Sequence, residues 1–184
     1  RVIHILTRFT RFGALYEADL RLRPAGNKGA MVSTIAGFER YQSEEAWTWE
    51  HQALIRARFV AGDATLGVQF DAVRKAILQS HRNQLDLKKD VVEMREKMRT
   101  HLIGAREQPQ LLSSVDLKHE IGAIVDIEFM VQYVVLAWAE KHQVLTQWTD
   151  MMRLLDEIRD FELVQDDAVQ LLQQAYVAYR SAVH

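Results

Sequence analysis

The chain has 184 residues, of which 48% are hydrophobic, with a formal net charge of −2 and no cysteine. This length fits one domain, or one domain with part of a second, and it is sufficient to bury a substantial core. The slight acidic balance gives no support for a general nucleic-acid binder, and the lack of cysteine excludes disulfides and thiolate metal sites. No signal peptide is visible, and the longest apolar stretch, residues 124–139, is too short and too acidic to span a bilayer.

The clearest predicted strand lies at residues 15–24, after the end of a helix at residues 1–7 and a break at Gly13. Apolar and charged residues alternate along it, so that a strand sends the two sets to opposite faces. One face is therefore predicted to be apolar and buried, and the other carries Glu17, Asp19, Arg21 and Arg23. Pro24 ends the strand, and residues 25–29 form a loop.

From Ser33 onward the hydrophobic period is helical, and Ser33 or Thr34 is a suitable cap for the first helix. Five of the eight glycines lie within the first 62 residues, so the turn-rich part ends in the thirties. Trp47, Leu54 and Ile55 are expected to face inward, and the tryptophans and the Met94/Met98 stripe are expected in the core. Further helices are predicted at residues 47–60, from about 65, and at 87–102, 123–141, 148–160 and 166–183, with a loop at 104–116.

The polar strand face is a candidate for chemistry because Glu17 and Asp19 are two residues apart and share that face. Nucleotidyl transfer needs carboxylates that hold Mg²⁺ against triphosphate oxygens, together with basic groups such as Arg21 and Arg23. The alternative is an exposed strand face with internal salt bridges. The pattern alone favours that alternative, because such faces are common and their ion pairs contribute little.

Several specific sequence blocks favour the catalytic interpretation of this strand face instead. Together they resemble the glutamine synthetase adenylyltransferase/deadenylylase family, in family order and over most of the chain. The blocks are YEADLRLRP at residues 16–24 with Gly26 and Gly29, WTWEHQALIRAR at 47–58, GD at 62–63, EMREKMR at 93–99, DLK at 116–118 and IVDIEF at 124–129.

The resemblance implies a tandem duplication with two nucleotidyltransferase-like halves, one adding AMP to a tyrosine of glutamine synthetase and the other removing it phosphorolytically. The amino-acid sequence of residues 47–58 is similar to that of the C-terminal, adenylylating half. Asp19 matches the third carboxylate of the family's metal site and is the expected catalytic residue and Mg²⁺ ligand. The Gly-Ser motif with the other two carboxylates is not in this sequence. We therefore expect a fragment, starting without Met at Arg1, that is inactive alone.

The resemblance also implies roles for other residues. Arg21, Arg23 and Lys118 are expected to bind the nucleotide, and support of the site is expected from Glu17, Arg56, Arg58, Asp126 and Glu128. Arg56 and Arg58 point apart on a helix, so one of them is expected to reach the strand face and the other to be solvated. Where the family has a Gly-rich turn before residue 124, this chain has Glu120 and Ala123 at two glycine positions. Either this member differs or residues are missing there, and a phosphate contact by that turn is in doubt.

Asp126 and Glu128 are two residues apart on a helix and point to nearly opposite sides, so they cannot serve one small site. On an apolar helix each needs a cationic partner from a neighbouring helix, or a place at the helix start, where acids are favoured. This structural interpretation and a functional role are equally favoured by the sequence.

The predicted fold is α+β and mostly helical, with the remnant of a nucleotidyltransferase-like sheet at residues 1–32 followed by a helical bundle at 33–184. The leading hypothesis is a cytoplasmic, ATP- and Mg²⁺-dependent enzyme of nitrogen metabolism that adenylylates glutamine synthetase. The alternative is a helical regulatory module, from about Ser33 onward, that docks glutamine synthetase or the PII signalling protein. No membrane or nucleic-acid partner is expected.

Overall fold

The computed structural model describes residues 4–5, 7–14, 19, 22–104 and 116–183, except the side chains of Asn27, Leu102 and Ile103. The chain divides into two compact units, Arg1–Ala46 and Trp47–His184. The mostly helical α+β class is confirmed. The nucleotidyltransferase-like remnant and its limit at residue 32 stay predictions.

The first unit contains a two-stranded antiparallel sheet and one long helix. Strand β1 (Phe9–Thr10) pairs with β2 (Gly13–Ala14), with Phe9 opposite Ala14. A 3₁₀ helix at Gly26–Lys28 follows, and then helix α1 (Ile35–Glu44), whose cap is Thr34, as predicted. The Thr34 hydroxyl accepts a hydrogen bond from the Gly37 backbone N–H at 3.0 Å, which satisfies one of the free donors at the helix start.

Most of the strand predicted at residues 15–24 lies outside the described residues, namely 15–18, 20 and 21. Within it, Asp19 has no regular structure, and residues 22–24 form a turn and bend. The predicted strand therefore extended too far at its carboxyl end.

The second unit is helical. Its helices are α2 (Thr48–Ile55), α3 (Ala64–Leu78), α4 (Gln84–Gly104), α5 (Ile124–Trp138), α6 (Met151–Asp160) and α7 (Asp166–Val183), with a 3₁₀ helix at Gln143–Thr146 that the sequence did not predict. None of the described helices is long and apolar enough to cross a membrane.

Helix α5 is the centre of the second unit, where it packs against α2, α4, α6 and α7. Its buried side chains include Val134 and Leu136, which are two residues apart and therefore lie on nearly opposite sides of the helix. A helix that is apolar nearly all round is a buried helix. The polar Gln132 is buried as well, and its side-chain oxygen accepts a hydrogen bond from the Gln52 amide of α2 at 3.1 Å.

Helix α2 ends at Ile55, five residues before the predicted end at residue 60. The cause is Arg74 of α3, whose guanidinium donates to the carbonyl oxygens of Leu54 (3.0 Å) and Ile55 (2.6 Å). In a longer helix those carbonyls would accept N–H groups of the next turn. Capping by a buried cation therefore stops the helix where the sequence pattern alone continues.

Two predictions about core residues were wrong. Trp47 was expected to face inward, but it lies at the N-terminal end of α2 and is 70% exposed. The other three tryptophans, with Met94 and Met98, are only partly buried. Leu54 and Ile55 are buried, as predicted. Branched aliphatic residues thus form most of the core, together with Met151 and Tyr176.

Candidate functional site

Asp19, the residue expected to carry the chemistry, has an exposed side chain in the first unit. Its predicted neighbours on the polar strand face, Glu17 and Arg21, lie outside the described residues. The catalytic and metal-binding roles of Asp19 therefore stay predictions.

The loop after Asp19 positions Arg23. The backbone N–H of Gly26 donates to the carbonyl oxygen of Arg23 at 2.8 Å, and the Arg23 Nε–H donates to the carbonyl oxygen of Gly29 at 3.4 Å. A Cβ at Gly29 would lie 1.8 Å from the carbonyl oxygen of Pro24, so only glycine fits there. This close turn holds Arg23 half-buried beside the loop. Its nucleotide-binding role stays a prediction.

A magnesium site was expected at Asp19. Mg²⁺ in nucleotide-dependent enzymes is held by one or two carboxylates together with substrate phosphates, so the donor type of Asp19 suits it. Among the described residues, no group of three or more His, Cys, Asp and Glu side chains could hold a metal ion. We therefore derive no reaction step through the ion.

Asp126 lies in the first turn of α5 and binds two partners. Its Oδ1 accepts a hydrogen bond from Arg95 Nε at 2.5 Å, and its Oδ2 accepts one from the Gly122 backbone N–H at 2.7 Å. Arg95 also donates through Nη2 to the carbonyl oxygen of His119 at 2.8 Å, and Arg99 Nη2 lies 4.0 Å from Asp126 Oδ1. The carboxylate therefore joins α4 to the turn that precedes α5.

That turn contains Lys118, a predicted nucleotide-binding residue whose side chain is exposed. The Asp116 side chain accepts hydrogen bonds from the backbone N–H groups of Lys118 and His119, at 2.9 and 3.0 Å, and from the His119 ring. The Lys118 carbonyl oxygen accepts from Val125 N–H. The Lys118 backbone is thus a fixed part of the turn, and its nucleotide contact stays a prediction.

The glycine that this chain retains in the turn is used structurally. Gly122 has a φ of +80°, in the left-handed region that favours glycine, and its N–H binds Asp126. Ala123, at one of the expected glycine positions, caps α5 in an extended conformation that any residue adopts. The described turn therefore directs the Gly122 N–H at the Asp126 carboxylate in the first turn of α5.

Glu128 faces the other side of α5, as the spacing predicted. Its Oε1 lies 2.7 Å from Arg56 Nη1 at the end of α2 and accepts a weaker hydrogen bond from the Tyr176 hydroxyl at 3.4 Å. Burial raises the pKa of Tyr176, and the nearby Glu128 charge raises it further. Arg58 follows the end of α2 and is exposed, so these two arginines do not share a helix as expected.

The structural interpretation of Asp126 and Glu128 is thus confirmed, since each has an arginine partner from a neighbouring helix. Arg56 and Glu128 come from two of the blocks that carry the family resemblance, and Arg95 and Asp126 join α5 to a third. In the described structure these blocks meet around α5 as packing and ion-pair contacts. Whether any of these residues also supports a catalytic site stays a prediction.

Sequence reasoning missed the two buried arginines of this unit, Arg74 and Arg95. Arg74 donates to the carbonyls of Leu54, Ile55, Thr146 (2.6 Å) and Trp148 (3.4 Å). Burial lowers the pKa of its guanidinium, and the nearby Asp71 partly offsets this. A signal was present, because each arginine lies within an apolar helical stripe: the stripe of α3 places Arg74 beside Val73 and Ile77.

The chain is similar to one known sequence family and to several bacterial proteins. A sequence model of the family described as Glutamate-ammonia ligase adenylyltransferase matches residues 1–73. Three bacterial relatives bear the name bifunctional glutamine synthetase adenylyltransferase/adenylyl-removing enzyme. Those of Pseudomonas aeruginosa and Pseudomonas syringae pv. tomato are 47% identical over 192 residues and 48% over 191, covering 100% of this chain and 20% and 19% of those proteins.

The third relative, from Methylococcus capsulatus, is 48% identical over 184 residues, covering 100% of this chain and 19% of that protein. The chain thus spans about a fifth of the length of the curated relatives it matches. Its similarity to them runs through both compact units. Over this segment the chain is similar to the glutamine synthetase adenylyltransferase family.

Proposed function

We propose that this chain is part of an adenylyltransferase that transfers AMP from ATP to a tyrosine of glutamine synthetase, and so regulates nitrogen assimilation. The observation that carries the proposal is an identity of 47–48% along the whole chain to relatives named for this activity. The meeting of the family blocks around α5 supports it, because the matched residues form one structural unit. The cytoplasmic location and the use of Mg²⁺ belong to the same proposal.

In the proposed reaction, the tyrosine oxygen attacks the α-phosphorus of ATP, and the bond from that phosphorus to the bridging oxygen of the β-phosphate breaks. Pyrophosphate leaves with the electron pair, and a base takes the tyrosine proton. Bound Mg²⁺ would neutralise triphosphate charge. Asp19 is proposed as one ligand of that ion or as the base, and Arg21, Arg23 and Lys118 as partners of the phosphate oxygens.

We further propose that the segment belongs to the adenylylating rather than the adenylyl-removing half. The support is the sequence of residues 47–58, which is similar to that of the adenylylating half. Arg56 of this segment pairs with Glu128. We also propose that the segment is inactive alone, because nucleotidyl transfer needs more carboxylates than Asp19.

The central experiment replaces Asp19 by Asn in the complete enzyme. Asn preserves the size of the side chain and removes its charge, so AMP transfer to glutamine synthetase should fall at least about a hundredfold. The matched control is Asp167→Asn, which removes an equally exposed acid at the start of α7 and should leave the rate unchanged. Transfer near the parental rate in D19N would remove Asp19 from the reaction, and transfer by the purified chain alone would contradict the proposed inactivity.

A regulatory module is the second proposal. It is favoured by the second unit, which holds every buried hydrophobic side chain among the described residues and so has a core of its own. In this proposal the helices dock glutamine synthetase or the PII protein. Capture of either protein by the chain without ATP, with no nucleotide binding in a parallel titration, would favour the module over the enzyme fragment.

A further inference from the structure

A groove of about 530 Å³ lies in the second unit between α4 and the start of α5. Its volume falls within the range of small-molecule pockets, roughly 300–1,000 Å³. Most of its wall is apolar, and several of the wall residues are well exposed, which is unusual for a contiguous set. We call it the α4–α5 groove; its apolar wall includes Val91, Val92, Ile121, Phe129, Met130 and Tyr133.

The same groove is lined by charged side chains, three cationic and two acidic: Lys88, Arg95, Arg99, Glu96 and Asp126. The Arg95 side chain is only 8% exposed. Its Nε and Nη2 bind Asp126 and the His119 carbonyl, but its Nη1 is buried without a hydrogen-bond partner among the described residues. The same holds for Nε of Arg99.

Buried polar groups are almost always hydrogen-bonded, and an unsatisfied donor on a charged group is especially costly. Asp126 accepts from neither of these two atoms: its oxygens bind Arg95 Nε and the Gly122 N–H. Two N–H donors on neighbouring arginines suit the oxygens of an anion, because charge-assisted hydrogen bonds from guanidinium groups are short and strong. The groove therefore combines an apolar wall with two arginine nitrogen donors that have no acceptor among the described residues.

We propose that the α4–α5 groove binds a small carboxylate-bearing ligand with an apolar body. The carboxylate accepts hydrogen bonds from Arg95 Nη1 and Arg99 Nε, and the apolar body lies against Val92, Phe129 and Met130. The lining charges favour this choice, because cationic groups exceed acidic ones by one. This site uses only residues of the second unit and does not depend on the adenylyl-transfer proposal.

The test uses two probes of equal size that differ in charge, 1-naphthaleneacetate and 1-naphthaleneacetamide, titrated into the full 184-residue chain by calorimetry. The carboxylate should bind about tenfold more tightly than the amide, in line with a charge-assisted hydrogen bond. Arg99→Gln should reduce this difference at least about threefold, because only the Arg95 donor remains. Met130→Asn should weaken both probes by the same factor, because it changes only the apolar wall.

Lys97→Gln is the matched control. Lys97 lies on the same helix, is 73% exposed at its side chain and does not line the groove, so its loss should preserve the preference for the carboxylate. Circular dichroism of each variant checks that it folds. Absence of binding by both probes, equal binding of the two, or equal effects of R99Q and K97Q would each overturn the proposal, the last because it would show only a general electrostatic attraction.

Discussion

The two compact units of the chain differ in where their apolar side chains lie. In the first unit no described hydrophobic side chain is buried, and Phe9, Phe12 and Val32 are each more than four-fifths exposed. In the second unit the buried apolar residues form a continuous core around α5. Similarity to the adenylyltransferases runs through both. In the second unit the matched blocks meet through packing and ion pairs, whereas the chemistry of the first unit stays a prediction.

The largest expected effect separates the two units by stability. Leu154 of α6 is 0% exposed, so Leu154→Ala should lower the free energy of unfolding by about 2–5 kcal/mol through lost burial and a residual cavity. Leu22 in the first unit is 60% exposed, and Leu22→Ala should change that free energy by less than about 0.5 kcal/mol. Urea unfolding of the whole chain, followed by circular dichroism, measures both. Equal losses would mean that the first unit shares a core, which would break the comparison.

The sequence predicted the second unit better than the first, for a physical reason. Long amphipathic helices repeat their signal over many residues, so both limits of α7 were predicted correctly and the start of α3 was predicted to within one residue. End points that depend on a distant residue were not predictable in this way. Helix α2 stops early because Arg74, about twenty residues later, occupies its last carbonyls.

The second effect tests that buried arginine. Met fills most of the volume of an Arg side chain but donates no hydrogen bond, so Arg74→Met leaves the carbonyls of Leu54, Ile55 and Thr146 without this donor. The free energy of unfolding should fall by about 3 kcal/mol. Lys75→Met is the control: Lys75 makes only a partly exposed ion pair with Asp71, and its loss should cost about 0.5 kcal/mol or less.

Thermal and urea unfolding of R74M and K75M give this difference directly. A loss in R74M no larger than that in K75M would show that the buried hydrogen bonds of Arg74 contribute no net stability to the second unit.

For the candidate site, too, the sequence predicted local features but not the contacts that depend on distant residues. The sequence predicted that Asp126 and Glu128 point apart and that arginines or lysines from other helices pair with them, because helical spacing and the cost of unpaired charge are local arguments. It did not predict which arginines, since the partners Arg95 and Arg56 are brought to α5 only by the packing of α4 and α2.

The smallest expected effect concerns pH. Burial alone raises the pKa of Asp116, but hydrogen bonds from Lys118 N–H and from the ring and N–H of His119 outweigh it and leave the pKa below its ordinary value. The unfolded chain, with an Asp pKa of about 3.9, therefore takes up the proton first. Stability from this group is complete above that value and is lost as the pH falls through the lower folded-state pKa.

Replacing Asp116 by Asn should therefore flatten the loss of stability between about pH 5 and pH 2, with little change in m-value. The Asp63 cap of α3 is the matched comparison. Its pKa is lowered chiefly by the Thr65 backbone N–H, and Asn preserves the cap, so D63N removes only the charge. Because Asp63 is exposed to screening solvent and Asp116 is only partly exposed, D63N should flatten the acid limb less than D116N. The reverse order, measured by urea unfolding at each pH, would show that the turn before α5 contributes less to folding than a simple helix cap.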